Sequence, residues 1–268
     1  MSMEKELLAT ALEAARAGAQ TLRGLWGGHL EIESKARFDF VTNADRKAEE
    51  AILGIIRERH PQHAVLAEES AGDYSQAAQE AGVLWVVDPL DGTTNFIHGI
   101  PHVGVSVAAL IDGRPAAGVI MDVTRGEEFA AARGAGFTLD NQPMRASRTD
   151  DPGQSILLTG FPYRQKDRLD NYLKLFAQLF RQVAGIRRAG VAALDLAYVA
   201  CGRAEAFWEM GLKPWDLAAG ILMVEEAGGR VTDFDGGDQA IWRGDIVAAN
   251  QGLHQMVQQA CGRMFPGG

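Results

Sequence analysis

Within seven residues, Asp88-Pro89-Leu90-Asp91-Gly92-Thr93-Thr94 combines two carboxylates, a proline bend and a glycine–threonine run. Carboxylates three residues apart on either side of a proline-stiffened bend can converge on one point. Their oxygens are hard ligands suited to magnesium, calcium or manganese. Pro89 disfavours a regular ladder there, so the bend also frees the Leu90 carbonyl as a third hard donor. Two metal ions can share Asp88 as a bridge. Gly92-Thr93-Thr94 then reads as a turn opening a short helix. Backbone N–H groups at a helix start form an anion site, and Gly92 lets that backbone approach closely. The Thr93 hydroxyl can orient a water. Metal donors beside phosphate donors point to cation-assisted phosphoryl chemistry.

Taken alone, Asp-Gly-Thr-Thr is ordinary turn chemistry, with Thr93 or Thr94 capping a helix. That reading loses ground because other carboxylates have matching placements. Glu68 follows the apolar run Ala64-Val65-Leu66-Ala67, just as Asp88 follows Val83-Leu84-Trp85-Val86-Val87. Both runs read as buried strands delivering acid at their C-terminal ends. Asp216 opens an apolar helix, where by itself it would complement the helix dipole. Asp45 lies three residues after Thr42, where by itself it would complete an N-terminal cap. Other chemistries fit less well. A nucleophilic aspartate of the haloacid-dehalogenase type needs Asp-x-Asp-x-Thr, and the spacing here is one residue longer. No P-loop, no Gly-x-Ser-x-Gly elbow and no Cys-x-x-Cys pair is present. Gly134-Ala135-Gly136 reads as a hairpin turn rather than a nucleotide loop.

Several elements must position these residues. Leu7, Leu8, Ala11, Leu12, Ala15, Ala19 and Leu22 recur at helical spacing, and a second helix is expected from Thr42-Asn43 to before Pro61. Strands are expected at Val103–Leu110, Ala116–Met121 and Glu127–Ala132, with a turn at Asp140-Asn141. Further strands are expected at Ile156–Thr159, Ala206–Trp208, Val231–Asp233 and Ile246–Ala248. Helices are expected at Leu169–Val183, Ala192–Ala200, Trp215–Ala227 and from about Leu253. The polar Asp150–Gly153 segment marks a boundary between an N-terminal α+β subdomain, residues 1–150, and a C-terminal α/β subdomain, residues 151–268, in one compact unit. The first would carry the metal and phosphate site, and the second would contribute Asp216 and substrate contacts. Mixed strands and helices with a meander-like middle predict sheets sandwiched between helix layers.

The formal net charge of −9 argues against broad nucleic-acid binding, although Arg181, Arg187 and Arg188 can form a local basic patch. An acidic protein with an anionic substrate needs bound cations to offset repulsion. Cys201 and Cys261, the two cysteines, offer no disulfide framework and read as inert thiols, which fits a reducing cytoplasm. Neither a secretory signal nor a bilayer-length apolar run is seen.

On these residues the chain resembles the inositol monophosphatase family. Glu68-Glu69-Ser70, the run from Trp85 through Asp88-Pro89-Leu90-Asp91-Gly92-Thr93-Thr94 to Asn95-Phe96, and Trp215-Asp216-Leu217-Ala218-Ala219-Gly220 are similar to its three main motifs. Val41-Thr42-Asn43-Ala44-Asp45 and Arg187-Arg188-Ala189-Gly190 agree further. The likeness runs from about Lys35 to Asn250, and Asn95 to His102 is similar to bacterial members. The resemblance implies an α/β fold, a layered αβαβα sandwich of the inositol monophosphatase and fructose-1,6-bisphosphatase type. It also implies a homodimer, magnesium dependence and lithium sensitivity. The implied reaction is hydrolysis of myo-inositol 1-phosphate by metal-activated water, with two to three Mg²⁺ ions per site. Glu68, Asp88 and the Leu90 carbonyl would hold one ion, Asp88, Asp91 and Asp216 a second, and a weaker third would lie near Glu68. Asp45 and Thr93, with Glu68, would orient and activate the water. Gly92, Thr93 and Thr94 would cradle phosphate, while Glu209 and the Gly190-Val191-Ala192 backbone would meet substrate hydroxyls. His98 and His102 read as structural or rim residues.

Two departures stand out. Many relatives carry Ser or Thr where this chain has Val191, and Lys213-Pro214 precedes Trp215 where animal members differ. Substrate choice is expected to lie around Tyr163 to Arg168, Val191 and Lys213. Fructose 1,6-bisphosphate, histidinol phosphate and 3′-phosphoadenosine 5′-phosphate are alternative substrates. A role of another class is binding to RNA polymerase and Nus factors in antitermination.

Overall fold

The computed structural model describes residues 2–36, 39–70, 82–162 and 165–267. Helix α1 (Met3–Leu25) buries Leu7, Ala11, Ala15, Ala19 and Leu22 along one stripe, and Leu8 and Leu12 pack at its edge. A hairpin of β1 (Ile32–Ala36) and β2 (Asp39–Thr42) follows. Its residues show no sustained apolar alternation, so periodicity does not predict it. Helix α2 (Asn43–Arg59) ends before Pro61 as expected, and Thr42 caps its start.

A seven-stranded sheet runs in the order β3 (Ala64–Ala67), β4 (Val83–Asp91), β5 (Gly104–Ile111), β6 (Arg114–Asp122), β7 (Glu128–Ala132), β8 (Gly136–Leu139) and β9 (Gln142–Pro143). Strands β3 and β4 are parallel, and the rest form an antiparallel meander. The short α3 (Thr93–Ile97) follows β4 directly. A five-stranded sheet combines β10 (Ile156–Thr159), β11 (Gly185–Arg187), β12 (Ala206–Glu209), β13 (Arg230–Thr232) and β14 (Ile246–Ala249) in the order β11-β10-β12-β14-β13. Helix α4 (Leu169–Phe180) stops at Phe180 rather than Val183. The Ala184 amide donates to the Ser155 carbonyl at 3.0 Å, which turns the chain into β11.

Burial orders these elements into five layers. Leu84 and Val86 face one core while Trp85 and Val87 face another, as strand alternation requires. Helices α1 and α2 cover the Trp85 side. Helices α5 (Ala192–Ala200) and α6 (Pro214–Glu226) fill the space between the sheets, packing on Val86, Ile120, Leu158 and Phe207. Helix α4 and the closing α8 (His254–Met264) cover the far face through Tyr172, Leu175, Val257 and Cys261. The molecule is thus the αβαβα sandwich that the motifs implied. A four-residue α7 (Ala240–Arg243) lies before β14. Both cysteines are buried free thiols whose pKa burial pushes up. Among the described residues, no helix is long and apolar enough to cross a membrane.

Helix α6 is apolar around nearly its whole circumference, as a helix between two sheets must be. It approaches β6 so closely that a Cβ on Gly118 would lie 2.9 Å from the Ala219 Cα. Gly118→Val should therefore overpack the central layer and cost about 1–3 kcal/mol, read as a lower urea midpoint with unchanged slope.

Candidate active site

Strand alternation alone would send Asp88 and Asp91 to opposite faces. The register shows why it does not: Asp88 pairs with Ser106, Asp91 pairs with Gly104, and the ladder shifts between them. Three steps on β4 match two on β5, so β4 carries one extra residue as a bulge around Pro89. Both carboxylates consequently line one cavity of about 280 Å³. One oxygen of each is tied down. Asp88 Oδ1 accepts the Leu90 amide at 3.0 Å, and Asp91 Oδ2 accepts the Ala193 amide at the start of α5 at 2.8 Å.

Two more acids join them. Glu68 follows β3, and its amide donates to the Val87 carbonyl at 3.1 Å, so it stands beside Asp88 at the ends of parallel strands. Asp216 sits in the first turn of α6, where its Oδ2 accepts the Lys213 amide at 2.7 Å. The Ser106 hydroxyl donates to the Trp215 carbonyl at 3.1 Å and pins that helix start to β5. Glu68, Asp88, Asp91 and Asp216 all line the cavity, as does Leu90.

Asp45 closes the cap foreseen for it and also meets Thr93. Its Oδ2 accepts from the Thr42 amide at 2.8 Å and the Thr42 hydroxyl at 2.6 Å, which closes the cap of α2. Its Oδ1 faces the Thr93 hydroxyl at 3.0 Å, with the Leu90 carbonyl a second acceptor for that hydroxyl at 3.2 Å. Thr93 and Thr94 form the first turn of α3, where amide hydrogens lack intrahelical acceptors. Gly92 has φ +95, and a Cβ there would lie 2.8 Å from Val191 Cγ2, so only glycine suits this corner. Asn95 is buried and donates to the His102 and Ala189 carbonyls at 2.9 and 3.1 Å, which locks the corner to the loop before α5.

Burial and mutual repulsion dominate the electrostatics. Desolvation first, then the charges of Glu68, Asp91 and Asp216, push the Asp88 carboxyl well above its ordinary value. Desolvation and Asp216 do the same to Asp91. Asp45 is also raised, by burial, against the lowering effect of its hydrogen bonds to Thr42 and Thr93. Glu209, buried at the end of β12, is raised by desolvation, Asp195 and Asp216, with Arg188 opposing. Such a set of buried like charges calls for a compensating cation. Among the described residues, no three Asp, Glu, His or Cys side chains stand as a ready-made ligand group. The oxygen-only donors nevertheless fit a hard divalent cation in kind and in charge.

The remaining expectations divide. Gly190, Ala192 and Glu209 line the cavity, but Val191 is fully buried beneath Gly92 and Gly104 and does not. Of the arginines, Arg188 lines the cavity while Arg187 is exposed. His98 is exposed, His102 is buried against Tyr198, and neither reaches the cavity. Tyr163 lies outside the described residues, and Arg168 pairs with Asp245 instead of lining the cavity. Phe40 and Leu212 on the wall, and Asp195 behind it, are not among the expected site residues. Asp195 is buried with neither oxygen hydrogen-bonded. A lone acid in the apolar stretch Ala192–Ala200 was the available signal for it.

Known proteins share this family and this fold. A model of the inositol monophosphatase family matches residues 3–262. A Pseudomonas aeruginosa protein named Nus factor SuhB is 48% identical over 248 residues, covering 91% of each chain. An inositol-1-monophosphatase of Synechocystis is 44% identical over 254 residues, covering 94% of this chain and 88% of that protein. The crystal structure of the extragenic suppressor protein suhB from Bartonella henselae superposes with a TM-score of 0.89 at 39% identity, covering 96% of this chain and 98% of that one.

Proposed function

The chain belongs to the inositol monophosphatase family, and we propose on that footing that it is a magnesium-dependent phosphomonoesterase releasing phosphate from inositol 1-phosphate. The observation that carries the reading is the Thr93–Asp45 hydrogen bond, set between four cavity-facing acids and the first-turn amides of α3. Glu68, Asp88, the Leu90 carbonyl, Asp91 and Asp216 would hold two to three Mg²⁺ ions. When bound, these ions supply Lewis-acid charge and lower the pKa of water.

The chain's own groups account for the rest. A water that donates to Thr93 Oγ1 is aimed at phosphorus, and Thr93 passes its own proton to Asp45 Oδ1. As the water oxygen bonds phosphorus, the phosphorus–oxygen bond to inositol breaks, and the inositol oxygen leaves as an alcohol with a proton taken from solvent. Burial raises the proton affinity of Asp45, which suits a base of this kind. The amides at Gly92, Thr93 and Thr94 meet the charge that grows on the equatorial oxygens. Glu209 and the backbone at Gly190 and Ala192 take substrate hydroxyls. Residues 1–150 would thus carry the metal and phosphate site, and residues 151–268 would add Asp216 and the substrate contacts. A homodimer, cytoplasmic residence and lithium sensitivity complete the reading.

Phosphate release from inositol 1-phosphate, fructose 1,6-bisphosphate, histidinol phosphate and 3′-phosphoadenosine 5′-phosphate tests it. The highest kcat/KM is expected for inositol 1-phosphate, dependent on magnesium and suppressed by lithium. Absence of magnesium-dependent release from all four overturns it. The name of the Pseudomonas aeruginosa relative, Nus factor SuhB, supports a second reading in which the chain also binds RNA polymerase or Nus factors. Co-precipitation of purified chain with purified RNA polymerase and Nus factors tests that separately.

A further inference from the structure

Gly160 immediately follows β10, which runs parallel to β12 with Thr159 opposite Trp208, so Gly160 stands beside Glu209. The Thr159 hydroxyl reaches the Trp208 carbonyl and the Tyr172 hydroxyl, both at 2.9 Å, and holds the two strand ends in step. Glu209 is buried, and its carboxylate lies on the bare Cα face of Gly160. A Cβ there would overlap the Cδ and both oxygens of Glu209 at once. The backbone does not demand glycine, because Gly160 is not among the residues with positive φ. The atoms it would collide with are the tip of a flexible side chain, which can swing aside. An added methyl therefore threatens the position of Glu209 more than the fold. The displaced carboxylate has little choice of destination. Asp195 repels it from behind the cavity wall and Asp216 and Asp91 repel it from the cavity side, so the place it holds against Gly160 is not readily exchanged for another.

We propose that Gly160 is a positioning residue that determines specificity: the side chain it lacks is the seat of the Glu209 carboxylate, and through that seat it sets the preference for polyol phosphates over plain phosphate esters. The inference rests on the reading that Glu209 takes substrate hydroxyls. The readout is the ratio of kcat/KM for inositol 1-phosphate to that for p-nitrophenyl phosphate, which has no hydroxyls to bind. Glu209→Ala should lower the ratio about 10- to 100-fold, the worth of a hydrogen bond to a charged group. Gly160→Ala should lower it in the same range, mainly through KM for inositol 1-phosphate. In the Glu209→Ala background, Gly160→Ala should change nothing further, because the two residues act as one unit.

A ratio within about twofold of wild type in Gly160→Ala, alongside a lowered ratio in Glu209→Ala, overturns the inference and leaves the reading of Glu209 standing. An unchanged ratio in Glu209→Ala overturns that reading instead. Equal losses on both substrates in Gly160→Ala mark a merely structural glycine and also overturn the inference. Should Gly160→Ala fail to fold, the double variant decides: a stable double variant supports the seat, and an unstable one overturns it.

Discussion

Asp45→Asn and Thr93→Val are each expected to lower kcat for phosphate release by about 10²- to 10⁴-fold, the usual worth of a positioned proton acceptor. Asparagine at 45 keeps an oxygen to accept the Thr42 amide, which Asp45 Oδ2 now holds at 2.8 Å, but it cannot take a proton. Valine at 93 preserves the shape of threonine and removes the hydroxyl that faces Asp45 Oδ1 at 3.0 Å. Weakening the cap of α2 costs about 1 kcal/mol, so melting should fall by only a few degrees. KM should change little, because neither group holds the substrate's polyol. The pH profile adds a second readout. Asp45 must be ionised to act, and burial raises its pKa, so wild-type kcat should climb with pH through that raised value. The climb should vanish in Asp45→Asn. Steady-state phosphate release across pH measures both effects, and a kcat within threefold of wild type in Asp45→Asn excludes this base.

Asp91→Asn is expected to separate stability from turnover. Folding raises the pKa of Asp88 and Asp91 above their unfolded values, through burial and the neighbouring acids. A carboxyl shifted upward stabilises the fold fully below its unfolded pKa, and that stability is lost as pH rises through the folded value. The metal-free protein should therefore melt at progressively lower temperature from acid toward neutral pH, and magnesium should reverse the loss. At a hundred times Kd the gain is about 2.7 kcal/mol, or roughly 5–10 °C for a chain of this size. Asparagine at 91 removes one of the repelling charges and keeps an oxygen for the Ala193 amide. Metal-free Asp91→Asn should melt above metal-free wild type at neutral pH, with a smaller response to magnesium. Its turnover should drop by more than about 10²-fold, since even an outer-shell loss at a metal site costs 10- to 100-fold. Melting in EDTA and in magnesium across pH, with parallel phosphate release, measures all three. A variant that melts below wild type without metal and keeps the full magnesium response contradicts the account.

Much of this was written locally. The capping residues of α2, the alternation that buries Leu84 and Val86 on one side and Trp85 and Val87 on the other, and the acids at strand ends all depend on neighbours a few residues apart. Local periodicity and turn chemistry report such relations, so the elements and most of the acidic site were legible in the chain. The hairpin of β1 and β2 was not, because its residues lack a sustained alternating pattern, and so Phe40 on the cavity wall was missed.

The amino-acid sequence by itself determined which groups could act: the carboxylates of Asp88 and Asp91, the donors from Gly92 to Thr94, and the capping pair Thr42 and Asp45. Tertiary structure alone decided how they combine. Thr93 meets Asp45 across 48 residues, the Ala193 amide meets Asp91 across 102, Val191 turns beneath Gly92 instead of facing the cavity, and Glu209 rests on Gly160. Those contacts follow from strand order, from the bulge in β4 and from helices wedged between two sheets. They are set by how the layers fill space, which no short stretch of sequence encodes.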